Sequence, residues 1–243
     1  MVASVVSAAR LDGKVAAVTG GCGEIGRGIC KALQELGASV WALDIHPFNS
    51  QDHSLAGFVE VDMSERASVE SAARKIGDVD FLINSHGIQI RKSFMDCSES
   101  DWSRIMDVNV AGTYRACQVF GSGLRRKQGA VVNISSVNGI VAARTGAAYG
   151  ISKAAIAHMT RVLALEWAPD VRVNAVAPIA LPSAMTADLF ADPNYRRDRA
   201  KGIPLQRFAT VEDVAGPVAF LLSANASMIT GQVLLIDGGF SIQ

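Results

Sequence analysis

Short apolar runs alternate with stretches of helical period along this chain. Residues 14–19 (KVAAVT) are apolar and end directly in Gly20-Gly21-Cys22-Gly23-Glu24-Ile25-Gly26. Ile25, Ile29, Leu33 and Leu36 then fall on one helical stripe, which Gly37 stops at the C′ position. Residues 39–44 (SVWALD), 58–61, 80–84 (DFLIN), 130–135, 171–177 (VRVNAVA) and 233–236 repeat the short apolar pattern, so seven strands are expected. Helices are expected over 65–76, 148–168 and 211–222. A further helix starts after Ser98, an N-cap with acids in its first turn. It carries Trp102, Ile105, Met106, Asn109, Thr113, Ala116, Cys117 and Phe120 along one stripe. Asn109 is polar on an otherwise apolar face, and if buried it needs hydrogen-bond partners. The crossover at 45–58 has no clean stripe and reads as loop or a short turn.

Alternating strands and helices predict an α/β fold: a doubly wound, parallel, seven-stranded sheet of Rossmann type with helices on both faces. No repeat, low-complexity tract or linker divides the chain, so one domain over 1–243 is expected. Within it, residues 178–208 carry Pro182, Pro193 and Pro204 and a basic cluster at Arg196, Arg197, Arg199 and Lys201. Such a long insertion after a strand's C-terminal end is usually a lid or binding loop, here spanning about 179–208.

The first strand, glycine turn, helix and second strand match the opening βαβ unit of a dinucleotide-binding fold. The turn lets backbone amides approach a pyrophosphate, and the helix N-terminus favours its negative charge. Asp44 ends the second strand, where an acid can bind both adenosine ribose hydroxyls and repels a 2′-phosphate. NAD is therefore the expected cofactor.

Composition narrows the class. Lys plus Arg equals Asp plus Glu at 23 each among 243 residues, which suggests neither nucleic acid nor an anionic membrane as partner. No segment approaches the ~20 apolar residues of a membrane span, and residues 1–10 lack the pattern of a signal peptide. Cys22, Cys30, Cys97 and Cys117 are scattered, with no CxxC and no clustered histidine. They read as reduced thiols of a cytoplasmic protein, with no metal site.

Tyr149 and Lys153 stand four residues apart on the 148–168 helix, so phenol and ammonium share one face. A cation beside a phenol favours the phenolate and lowers a pKa that is ordinarily ~10. The same helix is apolar almost all round, from Ile151 to Trp167, and so is covered on more than one side, one of them by a second subunit.

Together these motifs resemble the single-domain branch of the short-chain dehydrogenase/reductase family over nearly the whole chain. Tyr149-x-x-x-Lys153 matches its catalytic pair, Ser136 its serine, Asn109 its helix asparagine, and Asn84-Ser85-His86-Gly87 its Asn-Asn-Ala-Gly. The resemblance implies hydride transfer between a secondary alcohol and a nicotinamide cofactor, with Tyr149 as acid/base. Lys153 would hold the ribose hydroxyls and depress the tyrosine pKa, Ser136 would bind the substrate oxygen, and Asn109 would hold a water joining Lys153 to solvent. Gly20, Gly23, Glu24, Ile25, Gly26, Asp44, Asp62, Met63, Asn84 and Ser183 fall where the family binds its cofactor, and homotetramers are implied.

Three positions depart from that pattern. Glu24 replaces a glycine of the turn, Ile179 follows Pro178 where glycine is common, and His86 replaces a small residue. A carboxylate near a pyrophosphate weakens binding unless it points away. The Gly23 spacing is also that of the family's sugar-nucleotide branch, whose members usually carry a further substrate domain, and none is expected beyond the seventh strand here. The stretch from His86 through Arg91 to Trp102, with Gly216-Pro217, resembles deoxygluconate-type dehydrogenases, which points to a sugar, polyol or sugar acid as the small-molecule substrate. Arg91 and Arg144 flank the expected pocket, and either guanidinium suits a carboxylate. The alternatives are a 3-oxoacyl-type carbonyl reductase and, from another class, a non-catalytic dinucleotide-binding sensor.

Overall fold

The computed structural model describes residues 4–47, 55–143 and 146–242. All seven expected strands form: β1 (Val15–Thr19), β2 (Ser39–Asp44), β3 (Gly57–Glu60), β4 (Phe81–Asn84), β5 (Ala130–Ile134), β6 (Arg172–Pro178) and β7 (Val233–Ile236). They make one sheet in the order β3-β2-β1-β4-β5-β6-β7, parallel throughout. The order reverses between β1 and β4, and the C-terminal edge at that switch point is where such sheets bind ligands. Central strands are covered on both faces, which is why VAAVT and FLIN read as continuous apolar runs rather than alternating ones.

Alternate strand residues feed two cores. Ala16, Val18, Val40 and Ile83 pack under α2 (Glu24–Glu35) and α9 (Val211–Leu222). Ala17, Leu43, Leu82 and Val131 face the other way, towards α3 (Arg66–Ile76), α5 (Gly112–Lys127) and α6 (Ala147–Trp167). Helix α2 ends as its sequence demands. Gly37 takes φ +97°, its amide reaches Gln34 O at 2.9 Å, and the Ala38 amide reaches Leu33 O at 3.0 Å, a Schellman motif.

Three details differ from the sequence reading. A short helix, α1 (Val5–Ala8), precedes the first strand. The single helix expected after Ser98 divides into α4 (Glu99–Ile105), a π-helical turn (Met106–Ala111) and α5. A π turn inserts one residue into the helical repeat, and here it carries Asn109 into full burial while Trp102 stays partly exposed. The excursion is helical rather than loop, with a 3-10 turn (Ala184–Thr186), α7 (Ala187–Ala191) and α8 (Pro193–Lys201). Of the crossover after β2, residues 48–54 lie outside the described residues, and so does Arg144.

Candidate active site

The glycine turn joins β1 to α2 at the switch point. Gly20 takes φ +65°, and a Cβ there would stand 2.7 Å from the His86 backbone. A Cβ at Gly26 would run into the Gly20 carbonyl, so these two glycines let the turn close tightly. Gly23 caps α2 in extended conformation and has no such constraint. The Glu24 carboxylate points away from the turn: its Oε1 accepts the Ala184 amide at 2.8 Å and ties the start of the lid to the first turn of α2. Asp44 accepts from the Cys22 amide at 3.0 Å and from the His46 amide at 3.1 Å, which pins the turn to the end of β2. Burial and the Asp44 charge push the Cys22 thiol up to about 11.

A cavity of about 510 Å³ opens along this edge, and Ser136, Tyr149, Lys153 and Ser183 line it. Ser136 caps a 3-10 turn by accepting the Asn138 amide at 3.2 Å, which leaves its own proton to donate. Tyr149 and Lys153 lie one turn apart on α6, with the ammonium 5.6 Å from the phenol ring centre. The electrostatics differ from the expectation that Lys153 depresses the tyrosine. Burial raises the Tyr149 phenol above its ordinary value, and what pulls it back is the Ser136 hydroxyl and the Arg91 charge. The ammonium of Lys153 is instead turned to the Ile134 carbonyl at 2.8 Å, and burial pushes its own pKa down to about 8.

Asn109 is the polar residue of its stripe, and it has partners. Its Oδ1 accepts the Ile88 amide at 2.8 Å, and its Nδ2 donates to the Ile88 carbonyl and to Ser152 Oγ, both at 3.0 Å. These bonds clamp the chain leaving β4 to α6. A Cβ on Gly87 would lie 3.2 Å from Asn109 Oδ1 and 3.5 Å from Lys153 Nζ, so glycine keeps open the space between them.

Asn84 turns inward. Its Nδ2 donates to Asn133 Oδ1 at 2.9 Å, and Asn133 donates on to Thr160. Only its backbone faces the expected cofactor edge. Asp62 Oδ1 accepts from the amide and hydroxyl of Ser64, and the Met63 carbonyl accepts from Arg115 at 3.1 Å. Ser183 caps the lid's first turn through Thr186. Ile179 is buried and pairs with β7 through its amide, which explains the missing glycine there.

His86 is packed, not poised. Its Nδ1 lies 2.6 Å from Thr19 Oγ1, its Nε2 is buried without a hydrogen-bond partner, and burial together with Lys153 pushes its pKa down to about 3. Gly112 supplies the room: a Cβ there would meet Nε2 at 2.8 Å. Arg91 lines the cavity but is already occupied. Its Nη1 bridges both oxygens of Asp188 at 2.7 and 2.8 Å, and its Nη2 donates to the Met185 carbonyl at 2.6 Å. The carboxylate this guanidinium holds is one from the lid, a partner 97 residues away that no local pattern signals. Sequence reasoning also missed Ser152, Thr19 and the Glu24–Ala184 contact. Among the described residues no cluster of His, Cys, Asp or Glu can hold a metal ion, and no helix is long and apolar enough to cross a membrane.

The family model described as enoyl-(acyl carrier protein) reductase matches residues 22–241. The galactitol 2-dehydrogenase of Rhizobium johnstonii is 37% identical over 249 residues, covering 96% of each chain. The chain belongs to the short-chain dehydrogenase/reductase family. Another member, the 3-oxoacyl-acyl-carrier-protein reductase of Chlamydia muridarum, is 34% identical over 95% of this chain and 98% of its own. Among solved structures, a gluconate 5-dehydrogenase from Burkholderia cenocepacia, in complex with NADP and tartrate, superposes with a TM-score of 0.93. It is 28% identical and covers 99% of this chain and 100% of its own. The protein is thus a short-chain oxidoreductase with a dinucleotide site, and its relatives include polyol and sugar dehydrogenases and 3-oxoacyl reductases.

Proposed function

We propose that this short-chain oxidoreductase is an NAD-dependent dehydrogenase of secondary alcohols of the polyol and sugar class, with Tyr149 as acid/base. The observation that carries the reading is the meeting of Ser136, Tyr149 and Lys153 in one cavity beside a glycine turn that leaves its backbone bare. The turn suits a pyrophosphate, since Gly20 and Gly26 let the backbone close tightly at the N-terminus of α2 and Glu24 is directed to the lid. The amides from Gly20 to Gly26 would hold the phosphates, Asp44 the adenosine ribose, Asp62 and Met63 the adenine side, and Ser183 the carboxamide. Once bound, the dinucleotide supplies the acceptor or donor of hydride.

The remaining steps belong to the chain. Tyr149 takes the proton of the substrate hydroxyl in oxidation and returns it in reduction. Ser136 donates its free proton to the substrate oxygen and stabilises the charge that develops there. Lys153, a desolvated ammonium, is electrostatically hungry for the ribose hydroxyls and the phenolate. Asp44 supports NAD over NADP because among the described residues it forms no ion pair that would offset its charge, and it is held by backbone amides. The galactitol dehydrogenase relative supports the polyol class, whereas the 3-oxoacyl reductase relative favours a carbonyl reductase as the second reading. We also assign a homotetramer, because Ile151, Val162 and Leu165 leave one face of α6 apolar and open, with Leu165 83% exposed. We also propose a cytoplasmic setting, in which the four free cysteines stay reduced.

A panel of polyols, aldonates, their keto forms and a 3-oxoacyl thioester, run with both dinucleotides, tests the reading. Turnover of polyols or sugar derivatives with NAD is expected. Turnover confined to the thioester with NADPH would replace it with the reductase, and dinucleotide binding without any turnover would replace it with the sensor.

A further inference from the structure

Arg199 differs from three arginines at the lid and its base that are held by carboxylates. Arg91 is held by Asp188, Arg197 by Asp198, and Arg207 by Asp213. Arg199, on α8, lines the same cavity as Ser136 and Tyr149. Its guanidinium carbon sits 4.1 Å from the centre of the Phe240 ring, so the plane of the group is braced from one side. Its Nε is buried with no hydrogen-bond partner, and among the described residues no carboxylate forms an ion pair with it. Among the described residues no aspartate or glutamate lines the cavity, while Arg91, Lys153 and Arg199 do. With Arg91 neutralised by the lid and Lys153 turned to a backbone carbonyl, Arg199 is left as a half-buried cation lining the pocket with no carboxylate paired to it among the described residues.

A buried donor without an acceptor is costly, and a planar guanidinium held by an aromatic ring presents its remaining N–H groups as a fork suited to a carboxylate. We propose that Arg199 is the specificity-determining residue of this cavity and reads a carboxylate of the substrate, so that the enzyme acts on a hydroxy acid of the sugar-acid class, or on its keto form, in preference to the neutral polyol. This rests on the dehydrogenase reading for the site but assigns recognition to a lid residue rather than to the arginine near β4.

The test compares D-gluconate with D-glucitol, which have the same chain length and differ in the charge at one end. Binding is measured calorimetrically to the NADH-loaded protein, where the alcohol cannot be oxidised, and turnover is measured separately with NAD. For the wild type, gluconate is expected to bind more tightly than glucitol. Arg199→Met should weaken gluconate about 10- to 100-fold, the range of a hydrogen bond to a charged group, and leave glucitol and NADH binding within about threefold. Arg199→Lys, which keeps the charge but loses the fork, should fall between. Equal losses for both ligands in Arg199→Met would overturn the proposal and make Arg199 a packing residue of the lid, and so would glucitol binding better than gluconate to the wild type. Glucitol turnover without gluconate binding would sink the proposal and spare the dehydrogenase reading. Arg199-dependent gluconate binding with no turnover of either compound would do the reverse.

Discussion

Replacing Lys153 with methionine should stabilise the protein while abolishing its activity. The ammonium is buried, and its pKa falls from 10.5 to about 8 because burial disfavours the charged form. At ~1.4 kcal/mol per unit, this shift means that keeping the charge inside the cofactor-free protein costs roughly 3 kcal/mol. Methionine has a similar length and no charge, but it forfeits the 2.8 Å bond from the ammonium to the Ile134 carbonyl, worth about 1.5–3 kcal/mol for a charged donor. The expected net gain at pH 7 is at most about 1.5 kcal/mol, or up to about 6 °C in Tm for a chain of this size. The sign in pH follows from linkage. Between about 8 and 10.5 the unfolded lysine binds a proton that the folded one has shed, so wild-type stability rises with pH in that window relative to Lys153→Met. Thermal denaturation of both proteins without dinucleotide, at pH 7 and at pH 10, should therefore show a gap in Tm that closes towards the higher pH. A variant less stable than wild type by the same margin at both pH values would refute the reasoning, since it would mean that the ammonium is comfortably solvated by its neighbours.

Other expectations follow from neighbouring contacts. Asp44→Ala should narrow the preference for NAD over NADP without creating a true NADP site, and should weaken both because the Cys22 amide loses its anchor; unchanged discrimination in kcat/KM would show that the carboxylate does not set it. Glu24→Gln keeps an acceptor for the Ala184 amide and removes a charge from the first turn of α2, so NADH should bind about two- to fivefold more tightly, more so at low salt. Weaker NADH binding in that variant would mean that the charge itself holds the lid. Sedimentation at micromolar concentration should show tetramers, and Leu165→Glu should shift them towards smaller species; a wild-type monomer would contradict the assignment of the open α6 face.

The sheet was legible because its strands are short and apolar, the central ones buried on both faces, and because Gly20, Gly26 and Gly37 sit where the backbone needs them. The positions of Ser136, Tyr149 and Lys153 were legible through the family resemblance, and strand β5 and helix α6 carry them rigidly to one edge. Legibility ended where long-range side-chain contacts decide the matter. The Arg91–Asp188 and Glu24–Ala184 contacts join residues 97 and 160 apart, so nothing local foretells that Arg91 is occupied or that Glu24 turns from the phosphate site. The π turn escaped for another reason: residues 98–127 fit one helical stripe well enough that a single inserted residue leaves little trace in the pattern. Helix formation in the lid was hidden by Pro182 and Pro193, yet Pro193 merely opens α8, where proline is well tolerated.

The central claim is that Tyr149 carries the proton of a dinucleotide-linked dehydrogenation. It is tested most directly by Tyr149→Phe, which keeps the ring and removes the hydroxyl, with steady-state turnover on the best panel substrate measured beside NADH binding by fluorescence. Turnover should fall at least ~10²-fold, the loss typical of a removed acid/base, while NADH binding stays within about threefold. Because burial holds the phenol above its ordinary pKa, wild-type oxidation should also climb with pH, and the variant's residual rate should not. Retention of most of the activity in Tyr149→Phe, with the same rise in pH, would contradict the account and place the proton on another group.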